Sequence, residues 1–322
     1  MSNHTLIFFC AIMQISCSST KSTDSADTVS SVAFLEVPPP DQGFQLAFDF
    51  TAEPYSEVWK CYVHRLDTTE MKYVNSVEYQ QNPGMHHMTI STTGFVGGQI
   101  EPGLYDCKEL YEAQMDSLIM MFGAQGTDHE SLQFPTGVAV SIPANIDIVH
   151  EVHYVNTIDE PVQLYSRVNA YTIDSTTVTD GVWGGNVRDE NIFIPPNSEH
   201  TEWTRCVMNE DIQVLFLASH THGLGIDFSV RLFDGANTGD VFYQNTDWHN
   251  PNIVQYEEPI IVPAGTGFEY ACTWKNPHDH EVQYGLTSLD EMCNFTYVHT
   301  PYSMTARCEV VETSDGVLWS PE

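Results

Sequence analysis

The sequence predicts an all-β chain built as two tandem antiparallel β-sandwich (jelly-roll) domains, and three observations carry that expectation. Apolar and β-branched residues come in short runs, among them Gln45 to Phe50, Val58 to Val63, Gly137 to Ile142 and Asp147 to Tyr154. Clusters of Gly, Pro, Asn and Asp punctuate these runs through to the C-terminus, as around Phe193 to Pro196 and Pro263 to Gly267, which is the spacing of strands and turns. No long helical period interrupts them, and only Ser117 to Phe122 is expected to form a helical turn. A length of 322 residues exceeds one ordinary hydrophobic core, so two units are expected.

The turn-rich segment Asp180-Gly-Val-Trp-Gly-Gly-Asn186 lies near the middle of the chain. A boundary between Asp180 and Asn191 therefore divides the expected domains into residues 41–185 and 186–322. Before them, Leu6 to Ser16 form an apolar run of about the length of a signal-peptide core, too short to span a bilayer. Residues 1–17 are accordingly expected to direct export. Cys17 precedes the Ser/Thr/Asp-rich stretch Ser18 to Ser31, a pattern that resembles a lipoprotein junction, so a lipid anchor through Cys17 is the alternative to simple secretion. Residues 18–40, closed by Pro38, Pro39 and Pro40, have the composition of a flexible tether.

Acidic residues outnumber basic ones by 44 to 11, a formal charge of -33. Such a field excludes nucleic acid as a partner, because it repels a phosphate backbone. Apart from Cys10 and Cys17, six cysteines remain: Cys61, Cys107, Cys206, Cys272, Cys293 and Cys308. An even number in an exported chain favours disulfides, but spacing alone leaves the pairing open.

Fourteen histidines supply the clearest chemical signal where they cluster. His220 and His222 are two apart, and in a strand such residues project from the same face, where both imidazoles reach one metal ion. The neighbours His86 and His87 point to opposite faces of a regular strand, so they share a metal only at a strand end or bulge, or through different ring nitrogens. His150 and His153 also fall on opposite faces, and only one of them belongs to a site. Imidazoles alone suit Zn, Cu, Fe or Ni. Met292, beside Cys293, would add a thioether, which favours copper over zinc.

Four motifs, His86-His87-Met88, Glu151-Val152-His153-Tyr154, His220-Thr221-His222 and Asp290-Glu291-Met292-Cys293, together resemble the signatures of the copper type II, ascorbate-dependent monooxygenases. These are the relatives of dopamine β-hydroxylase and peptidylglycine α-hydroxylating monooxygenase, and the resemblance runs from about Phe44 to Cys308. It implies two copper ions per chain. His86, His87 and His153 would form an electron-transfer site in the first domain, leaving His150 as the extra histidine. His220, His222 and Met292 would form the oxygen-binding, catalytic site in the second. It also implies disulfides Cys61–Cys107, Cys206–Cys308 and Cys272–Cys293, with O2, ascorbate and a small organic substrate as reactants. Where the peptide-amidating branch carries an Arg and a Tyr, this chain has Ala218 and Thr296, which argues against peptide amidation. A copper-binding or copper-storage protein without catalysis is the alternative from a different class. A zinc hydrolase built on His220 and His222 lacks an HExxH helix and leaves Met292 without a role. The remaining His64, His129, His200, His249, His278, His280 and His299 are expected to be structural or at the surface.

Overall fold

A computed structural model describes residues 34–93, 100–114, 118–126, 128–285, 287 and 289–316. The expected leader, Cys17 and the tether up to residue 33 lie outside the described residues. Phe34–Glu322 form one compact unit, nearly all of it antiparallel β-sheet, with one α-helix, Cys107–Gln114, among the described residues. No helix among them is long and apolar enough to cross a membrane. The described end of the tether lies against the first sheet, where the Leu35 backbone N–H donates to Gln80 Oε1 (3.0 Å) and the Phe34 ring meets Tyr165 edge-on at 5.0 Å.

Strands up to Gly181 pair only among themselves. One sheet orders Gly43–Ala52, Val162–Thr172, Lys72–Gln81, Val138–Ile142 and Asp180–Gly181, with His129–Gln133 added beside Lys72–Gln81. The other orders Gly103–Asp106, Glu57–Leu66, Ile146–Val155, His87–Thr92 and Ile119–Gln125. Leu46, Val74, Val168 and Ala170 of the first pack with Met88, Ile90, Ile146 and Ile148 of the second in one buried cluster. The central strand Ile146–Val155 is buried along its first seven residues, although Asp147, His150 and Glu151 are among them. Asp147 is fully buried but answered by Arg65 and by the Ile100 backbone N–H at 3.1 Å, so its charge is not left unpaired.

From Trp183 onward the pairing starts afresh. Trp183–Arg188, Asn294–Thr300, Ile212–His220 and Val254–Val262 make one sheet. Thr238–Asn245, Gly225–Phe233, Gly267–Asn276, Ser198–Met208 and Cys308–Thr313 make another. Ser198–Met208 shows the period-two logic plainly, with Glu202, Thr204, Cys206 and Met208 buried and the residues between them more exposed. Val214, Leu217, Phe295 and Tyr297 from one sheet meet Phe228, Phe268, Tyr270 and Trp274 from the other. A seam of Val138, Val182, Leu215 and Phe216, with Phe134 edge-on to Phe216 at 5.3 Å, joins the earlier strands to the later ones.

The expected helical turn at Ser117 to Phe122 is not what forms. Ile119–Gln125 is a strand, paired with His87–Thr92, because cross-strand pairing and burial override the weak local preference of Leu and Met for helix. Three turns repeat one device: Ile142-Pro143-Ala144-Asn145, Ile194-Pro195-Pro196-Asn197 and Val262-Pro263-Ala264-Gly265. In each, proline follows the last strand residue, and Asn145, Asn197 or Gly265 takes a left-handed conformation (φ 54°, 49° and 82°), which these residue types tolerate best.

All six cysteines pair: Cys61–Cys107, Cys206–Cys308 and Cys272–Cys293. The second closes the longest span, 102 residues, and so restrains the unfolded chain most. Replacing this pair (Cys206→Ala with Cys308→Ala) is expected to cost about 2–5 kcal/mol of stability. A drop in the urea midpoint would report it, and an unchanged midpoint would show the bridge to be thermodynamically idle.

Candidate metal centre

The strand register builds the first histidine group. His87 opens the strand His87–Thr92 and stands opposite His153 on one side and Gln125 on the other. His86 lies one residue before the strand, with its backbone N–H donating to the His153 carbonyl at 3.0 Å. That strand end frees His86 from the alternation and lets both neighbours face one point. The His86 and His87 Nδ1 atoms are 2.9 Å apart, and ring centroids in the trio lie 4.9–5.1 Å from one another. Among the described residues, His86, His87 and His153 are the group of His, Cys, Asp or Glu side chains whose donor atoms all fall within 4.8 Å of one another.

Carboxylates engage the far side of two of these rings. His87 Nε2 meets Glu151 Oε1 at 3.1 Å and His153 Nε2 meets Glu57 Oε1 at 2.7 Å, leaving each Nδ1 for a metal. Glu151 also accepts from the Trp59 indole N–H, the Thr89 hydroxyl and the Tyr111 hydroxyl. Burial alone would raise its pKa, but bonding to His87, the charge of that ring, and the Thr89 and Tyr111 hydroxyls hold it down to about 2. His86 is pushed down to about 4 by burial first, then by His87, His153, His222 and His249. Burial likewise lowers His153, with Glu57 opposing. Rings that resist protonation suit a metal, which binds neutral imidazole.

The second group sits where Ile212–His220 ends. His222 lies beyond the strand rather than in it, so the expected same-face alternation is not what aligns the pair. Instead a buried carboxylate gathers the turn. Glu291, fully buried, accepts the backbone N–H groups of His222 (2.9 Å) and Leu224 (2.7 Å) and the Trp274 indole N–H (3.0 Å), and lies 3.3 Å from the Met292 nitrogen. The His220 and His222 rings end 5.1 Å apart. His222 Nδ1 meets the Asp290 carbonyl at 2.9 Å and His220 Nδ1 meets Gln125 Oε1 at 3.0 Å, so Nε2 of both is left bare. Burial, then His222, His87 and His86, push His220 down to about 3.

Met292 is half-buried and stays out of the core clusters. Its sulfur accepts from Asn294 Nδ2 at 3.4 Å. Asn294 pairs with His220 at the end of the ladder, two residues after Met292. Cys293, bonded to Cys272 on the central strand Gly267–Asn276, tethers the same loop.

The other histidines divide as their environments dictate. His150 is fully buried on the face opposite His153, with Nε2 bonded to Ser166 Oγ at 2.9 Å. His64 is half-buried with Nε2 unpartnered, its ring 5.9 Å from His150. His249 is exposed and stacks on Trp248 at 3.7 Å, and Trp248 in turn lies 6.4 Å from His86. Sequence reasoning did not single out Gln125, Glu57 or Glu291 as partners of the histidines. Glu151, two residues before His153 and hence on the same face, carried a readable signal, whereas the other contacts arise from distant segments.

Three converging imidazoles and a facing pair, on an all-β scaffold, define a histidine-based candidate for a transition-metal protein. Residues 182–320 match the family model for the copper type II ascorbate-dependent monooxygenase, C-terminal domain. No curated protein matches the chain. Among solved structures, one of the infectious bursal disease virus Gx strain is 10% identical, covering 88% of this chain and 80% of that one, with a TM-score of 0.20. Bacillus subtilis oxalate decarboxylase, studied for its Mn(II) centres, is 6% identical over 85% and 76% of the two chains, with a TM-score of 0.17. Likeness at that level carries no argument about this chain.

Burial lowers the His64 pKa from 6.5 to about 4. The unfolded chain therefore binds the proton first, and the stability this ring contributes is full above pH 6.5 and lost as pH falls toward 4. In metal-free protein at high salt, where surface repulsion is screened, His64→Gln should flatten the decline of the urea midpoint over that window. An unaltered slope would mean that this ring does not titrate as its burial requires.

Proposed function

We propose that the chain is a copper- and ascorbate-dependent monooxygenase that hydroxylates a C–H bond of a small organic substrate with O2, in the manner of dopamine β-hydroxylase. The observation that supports this reading is the link between the two histidine groups. Gln125, paired with His87 across the strands, reaches His220 Nδ1 at 3.0 Å, while His153, His220 and His222 each keep one nitrogen unengaged. The pairing of sheets around separate cores supports two tandem jelly-roll domains over residues 41–185 and 186–322, one for each group. The disulfides accord with an exported protein folded under oxidising conditions.

The donor set fits copper. Bound at these residues, copper would supply one-electron redox chemistry and activation of O2. In this reading His86, His87 and His153 would hold one ion, which would supply electron transfer, and Glu151 and Glu57 orient the His87 and His153 rings. His220, His222 and Met292 would hold the second ion, and a soft sulfur there would favour its reduced state. Hydroxylation with O2 takes two electrons and two protons, placing one oxygen atom in the product and the other in water. Ascorbate gives up electrons singly, which a mononuclear electron-accepting site can match. Ala218 and Thr296 offer no cation or phenol to a peptide carboxylate, which favours a small substrate without one.

Met292→Ala should leave the three-imidazole site loaded and lower ascorbate-dependent hydroxylation by about 100-fold or more, some 2.7 kcal/mol of barrier. Full turnover in that variant would remove the sulfur from the site. His153→Ala should instead slow copper reduction, followed by loss of the Cu(II) EPR signal after ascorbate is added. Copper bound in stoichiometric amount with no O2 uptake across a screen of amines, phenols and small aromatics would favour a copper-binding protein instead.

The net charge of -33 opposes the approach of the ascorbate anion. Raising ionic strength screens that field, so the second-order rate of reduction by ascorbate should rise with added salt. A rate that falls with salt would reveal a local cationic entry point among the few basic residues.

A further inference from the structure

His220 owes its orientation to a residue from the other set of strands. Gln125 ends the strand Ile119–Gln125, in the same cross-strand row as His87 and His153. Its side chain makes two bonds, with Oε1 at 3.0 Å from His220 Nδ1 and Nε2 donating to the Trp248 carbonyl at 2.7 Å. The second bond decides the first. A flipped amide would set Oε1 against the Trp248 carbonyl, acceptor against acceptor, so the amide can only present oxygen to His220. An oxygen there requires a proton on Nδ1, which leaves the Nε2 lone pair free.

The neighbouring glycine makes the clasp sterically feasible. Gly126 has φ +76°, and a Cβ there would stand 2.0 Å from Asn250 Oδ1 and 2.2 Å from the His249 carbonyl. Only a residue without a side chain lets the segment carrying Trp248 come close enough for Gln125 to reach its carbonyl.

We propose that Gln125 is a positioning residue that locks His220 in the Nδ1–H tautomer, so that this ring is ready for a metal only when the strand row of His87 and His153 is docked against it. The proposal rests on the reading of His220 as a copper ligand only for its consequence, not for the tautomer itself. Gln125 therefore ties the two histidine groups together through one amide.

The test begins with metal-free protein, by long-range ¹H–¹⁵N NMR of the imidazoles, assigned with His220→Ala. The wild type should show Nδ1–H at His220. Gln125→Leu should shift it toward Nε2–H, while Gln125→Glu, which keeps an acceptor, should retain Nδ1–H. Gly126→Ala, which displaces the Trp248 segment, should drift as Gln125→Leu does and serves if that variant folds poorly. In chelator competition, Gln125→Leu should weaken one copper by about 10- to 100-fold, as loss of such an outer partner does, and leave the three-imidazole copper unchanged. An unaltered tautomer in both Gln125→Leu and Gly126→Ala overturns the proposal. A shifted tautomer together with full copper stoichiometry in His220→Ala supports the positioning role and overturns the reading of His220 as a ligand.

Discussion

The strand His87–Thr92 is held between Ile146–Val155 and Ile119–Gln125 in a fixed register, and the first histidine group has no existence apart from it. A slip of one residue would turn His87 to the interior and Met88 to the outside. The buried side of the strand resists that, because Met88 and Ile90 are packed with Ile146 and Ile148 in the core. Apolar burial on one face thus fixes imidazole placement on the other. His86 escapes the alternation by standing just before the strand, which brings a third ring to the same point.

Each group is then completed by a buried acid. Glu151 draws together Trp59, Thr89, Tyr111 and His87, while Glu291 draws together His222, Leu224 and Trp274. They differ in what the bonds achieve. The donors to Glu151 overcome its burial and keep it ionised, whereas burial prevails at Glu291 and its pKa lies above the ordinary carboxylate value. One acid orients a ring directly; the other shapes the backbone that presents one.

Much of the strand content was legible because alternation and turn chemistry are local properties. Proline, with Asn or Gly two residues later, stops strands wherever the Ile142, Ile194 and Val262 turns occur, and Ile146–Val155 is recognisable by its Ile, Val and Tyr residues between turn signals. The placement of His150 and His153 on opposite faces also follows from local periodicity. The helical expectation for Ser117 to Phe122 failed because a strand at the margin of a sheet takes its structure from its partner. His222 illustrates the same limit at the site: its spacing from His220 suggested a strand face, but a carboxylate 69 residues onward in the chain sets its backbone. Gln125 carries no sequence signal at all, since its role depends on a loop more than a hundred residues distant.

The bridge between Cys272 and Cys293 has a consequence for the order in which the molecule matures. Cys293 directly follows Met292, and its partner lies in the fully buried middle of a central strand. The thioether loop is thus stapled to the protein interior by a bond that reducing cytosol would not sustain. Oxidation of the nascent chain must come before that loop is held in place. Before that bond forms, the backbone at Met292 lacks its covalent tie to the central strand, which makes thiol oxidation an early step in shaping this loop.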